Sequence, residues 1–164
     1  MMRKIIWVTL LCSLFLGLSS SSALAGWQSL KGNDIFLRET EEVKGDLWIV
    51  GQNVEIKGRV EGDLLVFAEE LVVSGEVEGD LLGLVGRLIV PGKIGGNLRV
   101  LSLLTRVEGG VAGNVSAVGT ELQLGPQAQV TSLLGWYTRA VIEGQVQESA
   151  VVNGRIFQLD GIIG

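Results

Sequence analysis

Gly58-Arg59-Val60-Glu61-Gly62-Asp63-Leu64 returns 17 residues later as Gly75-Glu76-Val77-Glu78-Gly79-Asp80-Leu81. The end of that phrase, a glycine followed by an acid or its amide and then an aliphatic, also stands at Gly45-Asp46-Leu47, Gly96-Asn97-Leu98 and Gly113-Asn114-Val115. Five copies in one strict period mean that a single structural unit is stacked on itself. With Gly45 as position one, position three reads Leu47, Leu64, Leu81, Leu98 and Val115. Position ten reads Val54, Leu71, Leu88, Thr105 and Leu122, and position twelve reads Ile56, Val73, Val90, Val107 and Leu124. Position sixteen reads Val60, Val77, Ile94, Val111 and Ala128. Apolar positions two apart are the mark of a strand. Glycine at position fourteen (Gly58, Gly75, Gly92 and Gly109, with Pro126 in the fifth copy) supplies a corner between short strands.

The period runs on past its clear part. Residues 130–147 make a sixth copy one residue longer, with Gly144 and Val146 in the expected roles, and residues 148–164 make a seventh. Residues 26–44 fit loosely: Leu30, Leu37 and Val43 match, while Glu39 and Glu41 fall where an apolar residue and a glycine are expected. That stretch reads as an irregular N-terminal cap or first rung, since terminal repeats depart from the consensus. Seventeen residues cannot hold two helices and their turns, and the Val, Ile, Leu and Gly content suits strands. The expected fold is therefore all-β: a single-stranded β-helix solenoid of about seven 17-residue coils over residues 45–164.

Residues 1–25 carry a different signal. Arg3 and Lys4 precede an apolar run from Ile5 to Leu18, and Ala23-Leu24-Ala25 offers a small-residue cleavage site. This is the pattern of a cleaved secretory signal peptide, and the run is shorter than the roughly 20 residues of a spanning helix. Without it the chain keeps 11 basic residues (13 less Arg3 and Lys4) against 18 acidic ones, a net charge of −7. Such a balance argues against nucleic acid and against electrostatic docking on an anionic membrane. Cys12, the one cysteine, leaves with the signal, so no disulfide is expected and stability must come from packing. Histidine is absent from the sequence, which removes the usual zinc ligand and the usual base for an activated nucleophile. Paired carboxylates are all accounted for by the repeat, so no enzyme activity and no cofactor are expected.

Three candidate sites remain. Asp46, Asp63 and Asp80, with Glu61 and Glu78 nearby, stack along one edge about 4.8 Å apart. Such a ladder is a weak cation candidate, oxygen ligands suiting calcium; the competing role is turn chemistry, in which the side chain bonds nearby backbone amides. The second site is an apolar stripe. If positions three and five point inwards, positions four and six point outwards, and they hold Trp48, Val50, Leu65, Phe67, Leu82, Leu84, Leu101 and Val118. That much apolar surface exceeds what a soluble monomer exposes. A corner bulge turning position six inwards, cover by an N-terminal segment carrying Trp27, Ile35 and Phe36, or a lateral contact with another subunit or a membrane surface would each account for it. The third site is the C-terminal end of the rod, where Phe157, Leu159, Ile162 and Ile163 are expected to lie open beside unpaired strand edges. Another copy stacking there would make the chain self-associate.

The phrase Gly58-Arg59-Val60-Glu61-Gly62-Asp63-Leu64, with its repeat from Gly75 to Leu81, resembles the bactofilins, polymer-forming bacterial cytoskeletal proteins built as a small β-helix. The resemblance covers residues 43–164. It implies a right-handed coil and self-assembly, and with the signal peptide it points to an exported bactofilin-like variant. Two roles follow as expectations. The first is a non-enzymatic scaffold of the bacterial periplasm or cell envelope, polymerising with itself through β-helix ends, with other envelope proteins as further partners. The second is an exported adhesion or polysaccharide-binding module, for which Trp136 and Tyr137 are the available aromatics unless they fill a bulge.

Overall fold

The computed structural model describes residues 26–164; the signal peptide expected over residues 1–25 lies outside them. The described chain is all-β and its strands join into one continuous parallel sheet that winds on itself. Each turn of the coil presents three faces. The first face is built from β1 (Gln28–Lys31), β4 (Leu47–Val50) and the opening residues of β7 (Leu64–Val73), β9 (Leu81–Val90) and β11 (Leu98–Val107). It continues through the middle of β12 (Gly110–Leu124), β13 (Gln129–Ile142) and β14 (Gln145–Asn153). The second face takes β2 (Asp34–Leu37), β5 (Asn53–Ile56), the closing residues of β7, β9, β11, β12 and β13, and β15 (Ile156–Leu159). The third is narrow: β3 (Glu42–Val43), β6 (Arg59–Val60), β8 (Glu76–Val77), β10 (Lys93–Ile94), the first residues of β12 to β14, and β16 (Ile162–Ile163).

The register is the period made visible. Leu47 pairs with Leu64, Leu64 with Leu81, Leu81 with Leu98, and Leu98 with Val115, so equal positions stack into columns along the axis. Positions three, five, seven, ten, twelve and sixteen point inwards, and Leu64, Val66, Leu71, Val73 and Val77 of one rung are wholly buried. Each such side chain contributes roughly 1.5–3 kcal/mol by leaving water. The core is a single ladder-filled tube from Ile35 to Val146.

Two lengthened corners set the register, and the second of them corrects the sequence reading. Residues 26–44 are a complete first rung, which makes about eight turns in all. Ile35 and Leu37 pair with Val54 and Ile56 at a spacing of 19, while Val43 pairs with Val60 at 17. The two additional residues lie in the corner 38–41, closed by a turn in which Glu41 N–H donates to Arg38 O at 2.9 Å. The same device recurs further along. Val130, not Ala128, occupies position sixteen, pairing with Val111 on one side and Val146 on the other. Again the corner is two residues longer, at Gly125-Pro126-Gln127-Ala128, and Ala128 N–H donates to Gly125 O at 2.9 Å. One residue is then lost between Val130 and Leu133, where the register slips back. The single additional residue counted in the sequence is thus two gained and one lost.

Glycine at the corners answers to space. A Cβ on Gly75 would run into the carbonyl of Gly58 in the rung beneath, yet among the described residues only Gly45 has positive φ, at 89°. Where the corner is lengthened, Glu41 and Ala128 stand in for that glycine and still offer their carbonyls to the next rung, to Arg59 N–H and Gln145 N–H respectively.

Candidate functional site

The acidic ladder is a chain of backbone caps running along the axis. Asp46 Oδ1 accepts from Asp63 N–H at 2.8 Å, Asp63 Oδ1 from Asp80 N–H at 2.8 Å, and Asp80 Oδ1 from Asn97 N–H at 2.7 Å. Asn97 Oδ1 passes the pattern on to Asn114 N–H at 3.0 Å. Each side chain therefore serves the next rung rather than its own turn, and the glycine before it leaves the room: a Cβ on Gly79 would meet Asp63 Oδ1. These bonds hold the Asp80 carboxyl below its ordinary range, the Asn97 amide contributing most and Arg99, at 2.8 Å, adding to it. Elsewhere on the acidic side Glu61 is held above the ordinary range, chiefly by the hydrogen bond it shares with Glu42 of the first rung. Among the described residues no three potential ligands are gathered to hold a metal ion.

The apolar stripe lies on the outside of the first face. Trp48, Phe67, Leu82, Leu84, Leu101 and Val118 are all exposed, while Val50 and Leu65 are half-buried. Position six does not turn inwards. The bend comes one residue later, so that position seven, as Val85 or Ser102, enters the core. Nor does the N-terminal segment cover the stripe. It is used up in the first rung, with Ile35 in the core and with Trp27 and Phe36 exposed. Sequence reasoning also stopped the stripe too early. Leu134, Trp136 and Val151 extend it by two rungs once the shifted register is applied, since Trp136 pairs with Val118.

Trp136 and Tyr137 part company. Trp136 faces solvent, whereas Tyr137 occupies position seven and is buried. Its ring fills the axis above Gly119, and its hydroxyl donates to Thr105 Oγ1 at 3.0 Å, two rungs away. Thr105 in turn shares a hydrogen bond with Ser102. Burial pushes the Tyr137 hydroxyl up from its ordinary pKa. The core thus closes over three polar side chains that satisfy one another, and Trp136 is left as the exposed aromatic of the pair. A groove of about 520 Å³ lies beside the lengthened corner at 125–128, lined in part by Arg106, Glu108 and Glu143. Arg106 is already engaged there by Gln123 at 2.8 Å and by Glu108 at 3.9 Å.

The last rung differs most from its neighbours. Phe157, Leu159 and Ile163 continue columns whose previous members, Ala140, Ile142 and Val146, are fully buried, yet they are 49 %, 44 % and 38 % exposed. Two outward positions also change character. Ile156 stands in the column of Glu70, Arg87, Leu104, Glu121 and Arg139, and Ile162 in that of Arg59, Glu76, Lys93, Gly110, Gln129 and Gln145. Phe157, Leu159 and Ile163 thus stand exposed in continuation of core columns, while Ile156 and Ile162 are exposed on the outsides of the second and third faces. Compared with protein-family models, with curated proteins and with solved structures, the chain finds no match.

Proposed function

We propose that this chain is a non-enzymatic, bactofilin-like structural subunit that associates with its own kind through the open end of its solenoid, and that it serves as a scaffold in the bacterial cell envelope. The observation that carries the reading is the apolar last rung: core columns continue into it as the exposed Phe157, Leu159 and Ile163, and on its outside Ile156 and Ile162 follow Arg139 and Gln145. A rung edge offers unpaired backbone groups together with an apolar face at the strand period, and another rung is the surface that matches both. Envelope location rests on the signal peptide expected over residues 1–25.

Magnitudes say how strong such a contact is. Phe157, Leu159 and Ile163 together expose roughly 250 Å². Burying that area on two copies is worth about 12 kcal/mol, against an association cost of about 4–15 kcal/mol. The end contact is therefore marginal on apolar area alone and draws on strand pairing and on any second contact. Electron microscopy and sedimentation test the reading. The unaltered protein is expected to form assemblies, and the double change Phe157→Asp with Ile163→Asp is expected to reduce them while the β signal in circular dichroism stays. Monodisperse monomers of the unaltered protein would overturn it.

A further inference from the structure

We propose that the apolar stripe on the first face is a second interface, at which two copies of this chain pack sheet against sheet about a two-fold axis at the rung of Val118. This contact is separate from the open end and does not rest on it.

Area supports the assignment. From Leu82 to Val151 the outward apolar side chains of the stripe are between 39 % and 54 % exposed, roughly 600 Å² together. The largest apolar patch of an ordinary monomer is about 300–600 Å², and one side of a standard interface is about 800 Å². Charge permits it as well. Arg99 is the basic side chain within the stripe, and Asp80 of the same molecule neutralises it at 2.8 Å. A bilayer is the poorer occupant, because the chain carries a net charge of −5 even with its first 25 residues, and anionic headgroups repel such a surface.

Shape then fixes the pairing. A largely apolar hollow of about 400 Å³ lies between the two columns of the stripe, walled by Leu82, Leu84 and Leu101 with Arg99 beside them. Trp136, half exposed, projects from the same face. It stands one rung beyond Val118, and Leu101 stands one rung before it. A two-fold axis through Val118 therefore brings Trp136 of each copy over the hollow of the other, and brings Val151 over Leu82 and Leu84. Knob and hole occur on one surface at equal distances from one rung, which is what an isologous contact needs. Trp48 lies four rungs before Val118 and falls outside the overlap. Two unlike two-fold contacts on one chain generate an open assembly, whereas either alone closes at a dimer.

Sedimentation equilibrium of the Phe157→Asp, Ile163→Asp protein isolates this contact by removing the other. That protein is expected to remain a dimer. Adding Trp136→Arg or Leu101→Arg is expected to weaken the dimer by about 100-fold or more, each change counting twice across the axis. Trp48→Arg is expected to change it less than about threefold, in line with a residue outside the contact. All three positions face outwards, so circular dichroism should be unaltered. A monomer before any stripe change, or equal loss from Trp48→Arg and Trp136→Arg, overturns the proposal. So does stripe-dependent binding to phosphatidylcholine–phosphatidylglycerol vesicles by a protein that stays monomeric.

Discussion

Position twelve is Leu37 in the first rung and Leu159 in the last; the first is 7 % exposed and the second 44 %. The same contrast holds between Ile35 and Phe157 at position ten and between Val43 and Ile163 at position sixteen, and it reverses at position five, where Leu30 of the first rung is 41 % exposed and Val152 of the last is half-buried. Both rungs have a neighbour on one side, and both are built from the same kinds of residue. What differs is that the first rung carries the lengthened corner at 38–41 and acids and bases on its rim, while the last carries Ile156 and Ile162 there. Among the described residues, the second and third faces are therefore covered in the first rung and exposed in the last, while the first face is the exposed one in the first rung. A contact between last rungs is symmetric and stops at two copies, so growth beyond a pair needs another surface, and the stripe is the surface available for it.

The comparison is broken most violently by putting one change into both situations. Val90→Asp, at position twelve in mid-rod where nothing is exposed, is expected to cost several kcal/mol and abolish the cooperative thermal transition, because a lone carboxylate cannot stay charged there. Leu159→Asp, in the same column in the last rung, is expected to cost less than about 1 kcal/mol while weakening association. Equal destabilisation by the two, measured by denaturant unfolding, would mean that the last rung is not open.

A smaller effect is expected inside the tube. Tyr137→Phe removes the bond to Thr105 but leaves Thr105 paired with Ser102, so the loss should be about 1 kcal/mol. Gly119→Ala should cost more, since its Cβ would press on Tyr137 and on the carbonyl of Ser102. Along the acidic ladder, Asp63→Asn keeps the oxygen that caps Asp80 N–H and should be near neutral, whereas Asp63→Ala should cost about 1 kcal/mol.

The smallest effect is one of pH, and its sign differs between two carboxyls. Asp80 has its pKa lowered by folding, so its contribution is present above its ordinary range and is lost as pH falls through it. Glu61 has its pKa raised beside Glu42, so the folded state binds more protons there, and stability falls as pH rises through that range. Glu61→Gln should therefore raise the melting temperature slightly at neutral pH, with the gain vanishing below about pH 4. Melting curves across that range check both signs.

Much of this was legible because the period is strict where packing is strict. Leu64, Val73 and Val77 stack on their own kind at every turn, so a column in the sequence is a column in space. Corners are where reading failed. The additions at 38–41 and 125–128 sit in turns whose tips, Glu39-Thr40 and Pro126-Gln127, face solvent, where no column constrains the residue type, and the loss after Val130 hid one of the two residues gained. Position seven was missed for another reason. Its members run Ala68, Val85, Ser102, Gly119 and Tyr137, a set with no shared polarity, because small residues in one rung make room for a large one in the next. The aspartate ladder showed its residues but not its partners, since a bond from one rung to the next joins residues 17 apart.

Thiol cross-linking addresses the central claim, that last rungs meet last rungs, most directly. In a Cys12→Ser background, Gln158→Cys marks the last rung and Asp34→Cys marks the first, both on exposed side chains. A short bismaleimide should join Gln158→Cys protein to itself and leave Asp34→Cys protein unlinked. Efficient linking in a mixture of the two, with neither reacting alone, would show first rung against last and would contradict the account.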